Sequence, residues 1–117
     1  MLKSIFLLIL VVASSLSVAN EVNIYTSRHY DSDDQLYEDF RKETGIKINV
    51  ISGNGSALLE RLKSEGANSP ADIFFTVDAG NLWKIQKEGY FQSISSSKVL
   101  SIVPKNLRGP DLSLIHI

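Results

Sequence analysis

An imidazole and a phenol stand next to each other in this chain, at His29 and Tyr30. They follow a short apolar run over residues 22–25, which predicts a first β-strand. In open α/β sheets ligands bind at the carboxyl edge of the strands. Imidazole nitrogen and phenol oxygen are metal donors in proteins. The pair is therefore a candidate metal half-site. The alternative is an ordinary turn, in which Tyr30 packs and His29 is solvated.

The donor types of this pair suit a hard trivalent cation such as Fe³⁺. An ordinary phenol has a pKa near ~10, so a phenolate at neutral pH needs a cation that stabilises its charge. Two neighbouring residues cannot complete a coordination sphere, so further ligands would have to come from elsewhere. Arg28, beside the pair, could neutralise phenolate charge or orient a bound anion, and a surface role is equally consistent with the sequence.

Other polar residues have simpler structural interpretations. Residues 53–56, Gly-Asn-Gly-Ser, could bind an anion through free N–H groups at a helix start, but any tight strand-to-helix turn uses glycine. We interpret Asp72 and Asp78 as a strand-start residue and a helix N-cap, not as an acid–base pair. Glu60 is interpreted as a solvated helix-face residue. The chain contains no P-loop, HExxH or Ser-His-Asp pattern, and we expect no enzymatic activity.

The elements that would position these residues alternate along the chain. Strands are predicted at residues 22–25, 46–51 and 71–77. A first helix is predicted from residues 31–34, whose aspartates would supply N-cap oxygens, to Glu43. Two more are predicted from the cap Ser56 to Gly66 and from the cap Asp78 to Lys87, the last with Leu82, Trp83 and Ile85 packing inward.

This order predicts an α/β fold with a mostly parallel sheet and helices on both faces, in three layers. The third predicted strand is apolar on both faces, as an interior parallel strand would be. Three strands make an incomplete core for a doubly wound fold. We therefore expect this chain to form the first part of a lobe, with marginal stability in isolation.

Residues 1–19 have the form of a signal peptide, with Lys3 before the apolar run 5–13 and small residues before a cleavage point after Ala19. The run is shorter than the ~20 residues of a membrane-spanning helix, which disfavours a membrane anchor. The whole chain carries 12 basic and 13 acidic residues and no cysteine. This balance is not that of a nucleic-acid binder. A thiolate metal site and a disulfide framework are excluded.

Residues 112–117 resemble the translated end of a transposon used to prepare sequencing libraries. We expect these six residues to be adaptor sequence, with the natural protein continuing beyond about Asp111. The alternative is a genuine apolar C-terminal strand. His116 is accordingly discounted as a metal ligand.

Three blocks, residues 22–30, 64–73 and 76–83, resemble the ferric-ion-binding periplasmic proteins of ABC iron importers. The resemblance extends over roughly residues 21–111. It implies a periplasmic-binding-protein-like fold, of which residues 20–111 form a partial N-terminal lobe. The complete protein would close two lobes on Fe³⁺, with a synergistic anion such as carbonate. It would deliver the ion to the permease and ATPase subunits of a transporter, as a periplasmic monomer.

The resemblance also assigns ligands. In that family the first lobe contributes a His-Tyr pair, here His29 and Tyr30, and the second lobe contributes several tyrosines. Certain relatives place a glutamate ligand where this chain has Ser56 and Ala57, which implies the tyrosine-dominated branch. Two other hypotheses remain open. One is a solute-binding protein of the same fold for an oxyanion, polyamine or sugar, and the other is a secreted α/β enzyme with catalytic residues beyond this chain.

Overall fold

The computed structural model describes residues 20–109. The predicted signal peptide, the predicted adaptor and His116 lie outside the described residues. No helix in the described range combines the length and the apolar character needed to cross a bilayer. The elements are β1 (Glu21–Thr26), α1 (Asp31–Thr44), β2 (Lys47–Ser52), α2 (Gly55–Glu65), β3 (Ile73–Phe75), α3 (Ala79–Lys87) and α4 (Ser97–Ile102), with 3₁₀ helices at Gly66–Asn68 and Lys105–Leu107.

The three strands form one parallel sheet in the order β2-β1-β3. In the central strand, Tyr25 lies beside Ile51 on one side and Phe74 on the other. Crossovers between parallel strands are right-handed, and β2 and β3 flank β1 on opposite sides. Helices α1 and α2 therefore cover opposite faces of the sheet. The predicted α/β class is confirmed.

Within residues 20–109 the third strand lies at the edge of the sheet, so its interior position stays a prediction for the complete lobe. There β3 pairs with β1 alone, and Ile73 is 38% exposed. The strand is also shorter than the predicted residues 71–77. Its late start follows from Asp72, whose carboxylate accepts a hydrogen bond from Asn23 N at 2.8 Å. A side chain therefore satisfies the donor that a strand ladder would otherwise use.

The described core lies where α2 and α3 meet the sheet. Leu59 and Leu62 of α2 form a buried cluster with Ile85 of α3. The prediction that Trp83 packs inward is wrong, since this side chain is 57% exposed. Trp83 and Ile85 are two positions apart, about 200° around a helix, so only one can face the core. The indole instead lies under the Lys87 ammonium, 4.8 Å from the ring centre.

Of the three predicted helix N-caps, the structure confirms one. Asp78 caps α3 as predicted, accepting a hydrogen bond from Asn81 N at 2.7 Å. The predicted aspartate cap of α1 is wrong, because Tyr30 is its N-cap. The aspartates lie in the first turn instead, where negative charge favours the helix dipole. The predicted cap of α2 is also wrong, because Asn54 accepts from Ser56 N there.

A hydrogen-bonded network ties β1 to the end of α2. The Tyr25 hydroxyl lies 2.7 and 2.9 Å from the two carboxylate oxygens of Glu65. Glu65 also accepts from Arg61 Nε at 2.7 Å and from Ser69 Oγ at 2.8 Å. Arg61 first, and then Tyr25 and Ser69, lower the pKa of Glu65 to about 2, because each donor favours the charged carboxylate. The network anchors the strand that leads into the His-Tyr pair.

Candidate functional site

His29 and Tyr30 follow the carboxyl end of β1, as the sequence predicts. Both side chains are exposed, Tyr30 to 57%. They line a cleft of about 260 Å³ at this edge of the sheet. The donors therefore stand where open α/β folds bind ligands. The remaining lining residues are Thr26, Arg28, Asp31, Asp33, Asp34, Tyr37, Val50 and Ser52.

Backbone hydrogen bonds hold the turn that carries His29 and Tyr30. Ser27 N donates to Phe75 O at 2.9 Å, which joins the turn to β3. Arg28 N donates to the buried Thr26 hydroxyl at 3.0 Å. The carbonyl of Tyr30 accepts from Asp33 N at 2.9 Å as α1 begins. These bonds fix the path of the chain on both sides of His29.

Arg28 is bound within the protein. Its Nε and Nη2 donate to the two oxygens of Asp33 at 3.0 and 2.9 Å. The guanidinium carbon lies 5.1 Å from the ring centre of Tyr30 and 5.9 Å from that of Phe75. The fork that would hold a bound anion is thus occupied by a carboxylate. For Arg28, a charge beside the phenol fits this geometry better than the binding of an anion.

Tyr37 is a cleft residue that the sequence analysis missed. Its hydroxyl is buried and has no hydrogen-bond partner among the described residues. Burial raises the pKa of Tyr37, and the nearby Asp33 carboxylate raises it further. This phenol therefore stays protonated at neutral pH. The sequence signal for this position was its seven-residue spacing from Tyr30, since seven residues bring a side chain back to the same face of a helix.

The described residues do not by themselves complete a metal site. Residues 20–109 contain no group of three or more His, Cys, Asp or Glu side chains that could hold a metal ion. The interpretation of Glu60 as a solvated residue is confirmed, because its side chain is 72% exposed and pairs with Lys63 at 3.2 Å. His29 and Tyr30 together leave most positions around an ion open.

The two aspartates that flank β3 have structural roles, as predicted. Asp72 accepts from the backbone and side chain of Asn23, at 2.8 and 3.3 Å. Asp78 caps α3 at the opposite end of the strand. Their carboxylates are committed to different parts of the backbone, so they do not form an acid–base pair.

The glycine turn before α2 lies at the same sheet edge. A Cβ added at Gly55 would meet Asn81 Nδ2 at 3.5 Å and Ser27 Oγ at 3.6 Å. These are ordinary van der Waals distances, so the space at Gly55 does not require glycine; they show that the start of α2 lies beside the turn after β1 and the first turn of α3. Asn54 accepts from Ser56 N at 2.9 Å, which fills part of the turn's donor capacity. An anion site here stays a prediction.

The family of bacterial extracellular solute-binding proteins matches residues 25–113 of this chain. Among individual proteins, iron uptake protein A1 of Synechocystis is 53% identical over 91 residues, which cover 78% of this chain and 25% of that protein. The chain thus spans about a quarter of the length of the curated relatives it matches.

Solved structures show the same relationship. The Trichodesmium protein (IdiA, FutA), solved in complex with iron and citrate ligands, is 56% identical, with a TM-score of 0.74 over 79% of this chain and 29% of its own. The ferric binding protein from Campylobacter jejuni is 41% identical, with a TM-score of 0.75 over 78% of this chain and 29% of its own. The parallel α/β fold described above is therefore shared with these proteins.

Proposed function

This chain belongs to the bacterial extracellular solute-binding proteins, and on that premise we propose that it is part of the ferric-iron-binding component of an ABC iron importer. The complete protein captures Fe³⁺ between two lobes in the periplasm and delivers it to the permease and ATPase subunits of the transporter. In this proposal Fe³⁺ is cargo, and the protein is not an enzyme.

The observation that carries the proposal is the exposed pair at the carboxyl edge of β1. His29 and Tyr30 offer an imidazole and a phenol to one cleft, in a turn held by backbone hydrogen bonds. Oxygen donors suit a hard cation, and the ion itself stabilises the phenolate. The similarity to proteins named for iron uptake and ferric binding supports the same cargo.

The remaining organisation follows from the same proposal. Residues 20–111 form part of an N-terminal lobe, residues 1–19 are a signal peptide, and residues 112–117 are adaptor. The other iron ligands, tyrosines of the second lobe, lie beyond this chain. Closure of the two lobes brings both ligand sets onto the ion, as in hinge-closing binding proteins generally. A synergistic anion such as carbonate fills positions that the protein leaves open, and the protein works as a monomer.

The test uses the complete protein, of which this chain is a part. Ferric loading is expected to produce colour through phenolate-to-iron charge transfer, and iron retention can be measured by competition with citrate. Tyr30→Phe removes one donor oxygen and should weaken retention. Tyr90→Phe makes the same chemical change outside the cleft that His29 and Tyr30 line, and should leave retention unchanged.

Two results would count against the proposal. A colourless complete protein with no affinity for Fe³⁺ would exclude the iron assignment and favour another cargo, such as an oxyanion, polyamine or sugar. Unchanged retention in Tyr30→Phe would remove this residue from the site, even if the protein binds iron.

A further inference from the structure

We propose that Arg28, held by Asp33, is a positioning residue that fixes the Tyr30 ring for the ion and balances the charge of its phenolate. The inference rests on the proposed function and adds to it a residue that does not itself touch iron. Its basis is the stack already described, in which the guanidinium lies 5.1 Å from the ring of Tyr30 and 5.9 Å from that of Phe75.

The burial of the ion pair distinguishes it from an ordinary surface contact. The side chains of Arg28 and Asp33 are 30% and 13% exposed. Two parallel charge-assisted hydrogen bonds fix the plane of the guanidinium as well as its position. A plane held in this way presents a constant face to the aromatic ring above it. Tyr30 is 57% exposed. Contact with the fixed guanidinium therefore restricts the orientation of a ring that solvent alone would leave free to turn.

The same three residues stand between two clefts. Arg28, Tyr30 and Asp33 line the small cleft and also a larger one of about 1140 Å³, which extends past β3. The large cleft includes the half-buried Phe75. The guanidinium and the Tyr30 ring therefore border both clefts. A loosened Arg28 would let the Tyr30 ring move away from the small cleft, where His29 lies.

Charge supports the same role. A phenolate bound to a cation remains an anion to its surroundings, and three aspartates line this cleft. The guanidinium is the one cationic side chain of Lys or Arg among the cleft's described lining residues. Because it is fixed beside the ring, it opposes the repulsion that these carboxylates exert on a phenolate. Asp33 holds Arg28 in place, and its own negative charge is paired with the guanidinium.

The chain contains a matched counterpart away from the cleft. Arg61 lies 5.2 Å from the ring centre of Tyr25 and donates to Glu65 at 2.7 Å. It therefore repeats the arrangement of a cation over a tyrosine and against a carboxylate. Tyr25, however, is fully buried and its hydroxyl is bonded to Glu65. In Arg61→Gln, Glu65 keeps its hydrogen bonds from Tyr25 and Ser69, so β1 stays anchored. This variant thus controls for the structural loss of such a stack without any contact to the His-Tyr pair.

The experiment compares iron retention of the complete protein in citrate competition. Arg28→Gln should weaken retention roughly 10- to 100-fold, the usual cost of losing a partner of a metal ligand. Arg28→Lys should lie between Arg28→Gln and the unchanged protein, because it keeps the charge but not the planar fork. Asp33→Asn should also weaken retention, and Arg61→Gln should not. In a Tyr30→Phe background, Arg28→Gln should have no more than about a twofold effect, since coupled residues are not additive.

A second measurement is independent of iron. In the metal-free complete protein, the Tyr30 ring resonances are identified by their loss in Tyr30→Phe. They should shift in Arg28→Gln and in Asp33→Asn, and stay unchanged in Arg61→Gln. Unchanged resonances in the first two variants would overturn the positioning role, whatever the protein binds.

The iron-retention measurements can refute the positioning role of Arg28 independently. Equal losses from Arg28→Gln with and without the Tyr30 hydroxyl would show that Arg28 does not act through Tyr30. An unaffected Arg28→Gln, in a protein whose retention Tyr30→Phe does weaken, would refute the inference and leave the proposed function standing. Should Arg28→Gln fail to fold, Asp33→Asn and Arg28→Lys carry the same comparisons.

Discussion

Replacing Tyr25 by Phe removes one hydroxyl from the network that anchors β1. The ring is 0% exposed, and its hydroxyl lies 2.7 Å from the nearer oxygen of Glu65. Phe keeps the volume and the apolar contacts of the ring, so no cavity is created. The perturbation therefore isolates a hydrogen bond to a charged acceptor. It tests whether the strand that carries the His-Tyr pair is held by its polar contacts as well as by its packing.

The expected cost follows from what Glu65 retains. A hydrogen bond to a charged group contributes about 1.5–3 kcal/mol to stability. Glu65 still accepts from Arg61 at 2.7 Å and from Ser69 at 2.8 Å in the variant. The carboxylate is thus not left unpaired, which places the loss at the lower end. We expect Tyr25→Phe to lower the free energy of unfolding by about 1.5 kcal/mol at pH 7.

Tyr37→Phe is the matched control, because the Tyr37 hydroxyl is buried without a partner among the described residues. Its removal should leave the free energy of unfolding unchanged or raise it, since an unpaired buried hydroxyl is a cost. The assay is urea unfolding of the complete metal-free protein, with midpoint and slope compared between variants. An effect of Tyr25→Phe within about 0.5 kcal/mol of zero, the usual range for a surface change, would refute the reasoning. So would equal losses in both variants.

Two further predictions concern the same framework. The pKa of Glu65 is lowered from 4.5 to about 2, so its contribution to stability is fully present above pH 4.5 and is lost as the pH falls towards 2. Glu65→Gln should therefore lower stability at pH 7 and flatten its decline across that window; an unchanged decline in acid unfolding would contradict this. Ile85→Ala should cost about 2–5 kcal/mol by opening the core, whereas Trp83→Ala should cost about 1 kcal/mol or less, the value of an exposed cation–π contact. Equal losses in urea unfolding would mean that the two side chains are not divided between core and surface as the structure shows.

Local pattern was enough to predict the class of fold and the location of the candidate pair. Strand and helix alternate with different periods, and a parallel strand carries its ligands at its carboxyl end. The position of His29 and Tyr30 at a sheet edge therefore follows from the sequence alone. The cap at Asp78 was predictable for the same reason, because its bond to Asn81 N spans three residues.

Features that depend on distant neighbours were predicted less well. Trp83 is as apolar as Ile85, but which of them faces the core depends on where α2 packs against α3. The apolar composition of β3 suggested an interior strand, although the described sheet gives it one partner. The first aspartates of α1 look like caps in sequence, but Asp33 is bound to Arg28 instead.

The sequence by itself determined the donor types, their order along the chain and the alternation that brings them to one edge of a parallel sheet. These are consequences of covalent order and local periodicity. Only the tertiary structure decided that Arg28 lies over Tyr30, that the Tyr37 hydroxyl is buried in the same cleft and that Tyr25 is bonded to Glu65 forty positions away. The physical reason is that burial and hydrogen bonding depend on which surfaces meet in space, and spacing along a strand or helix does not specify that.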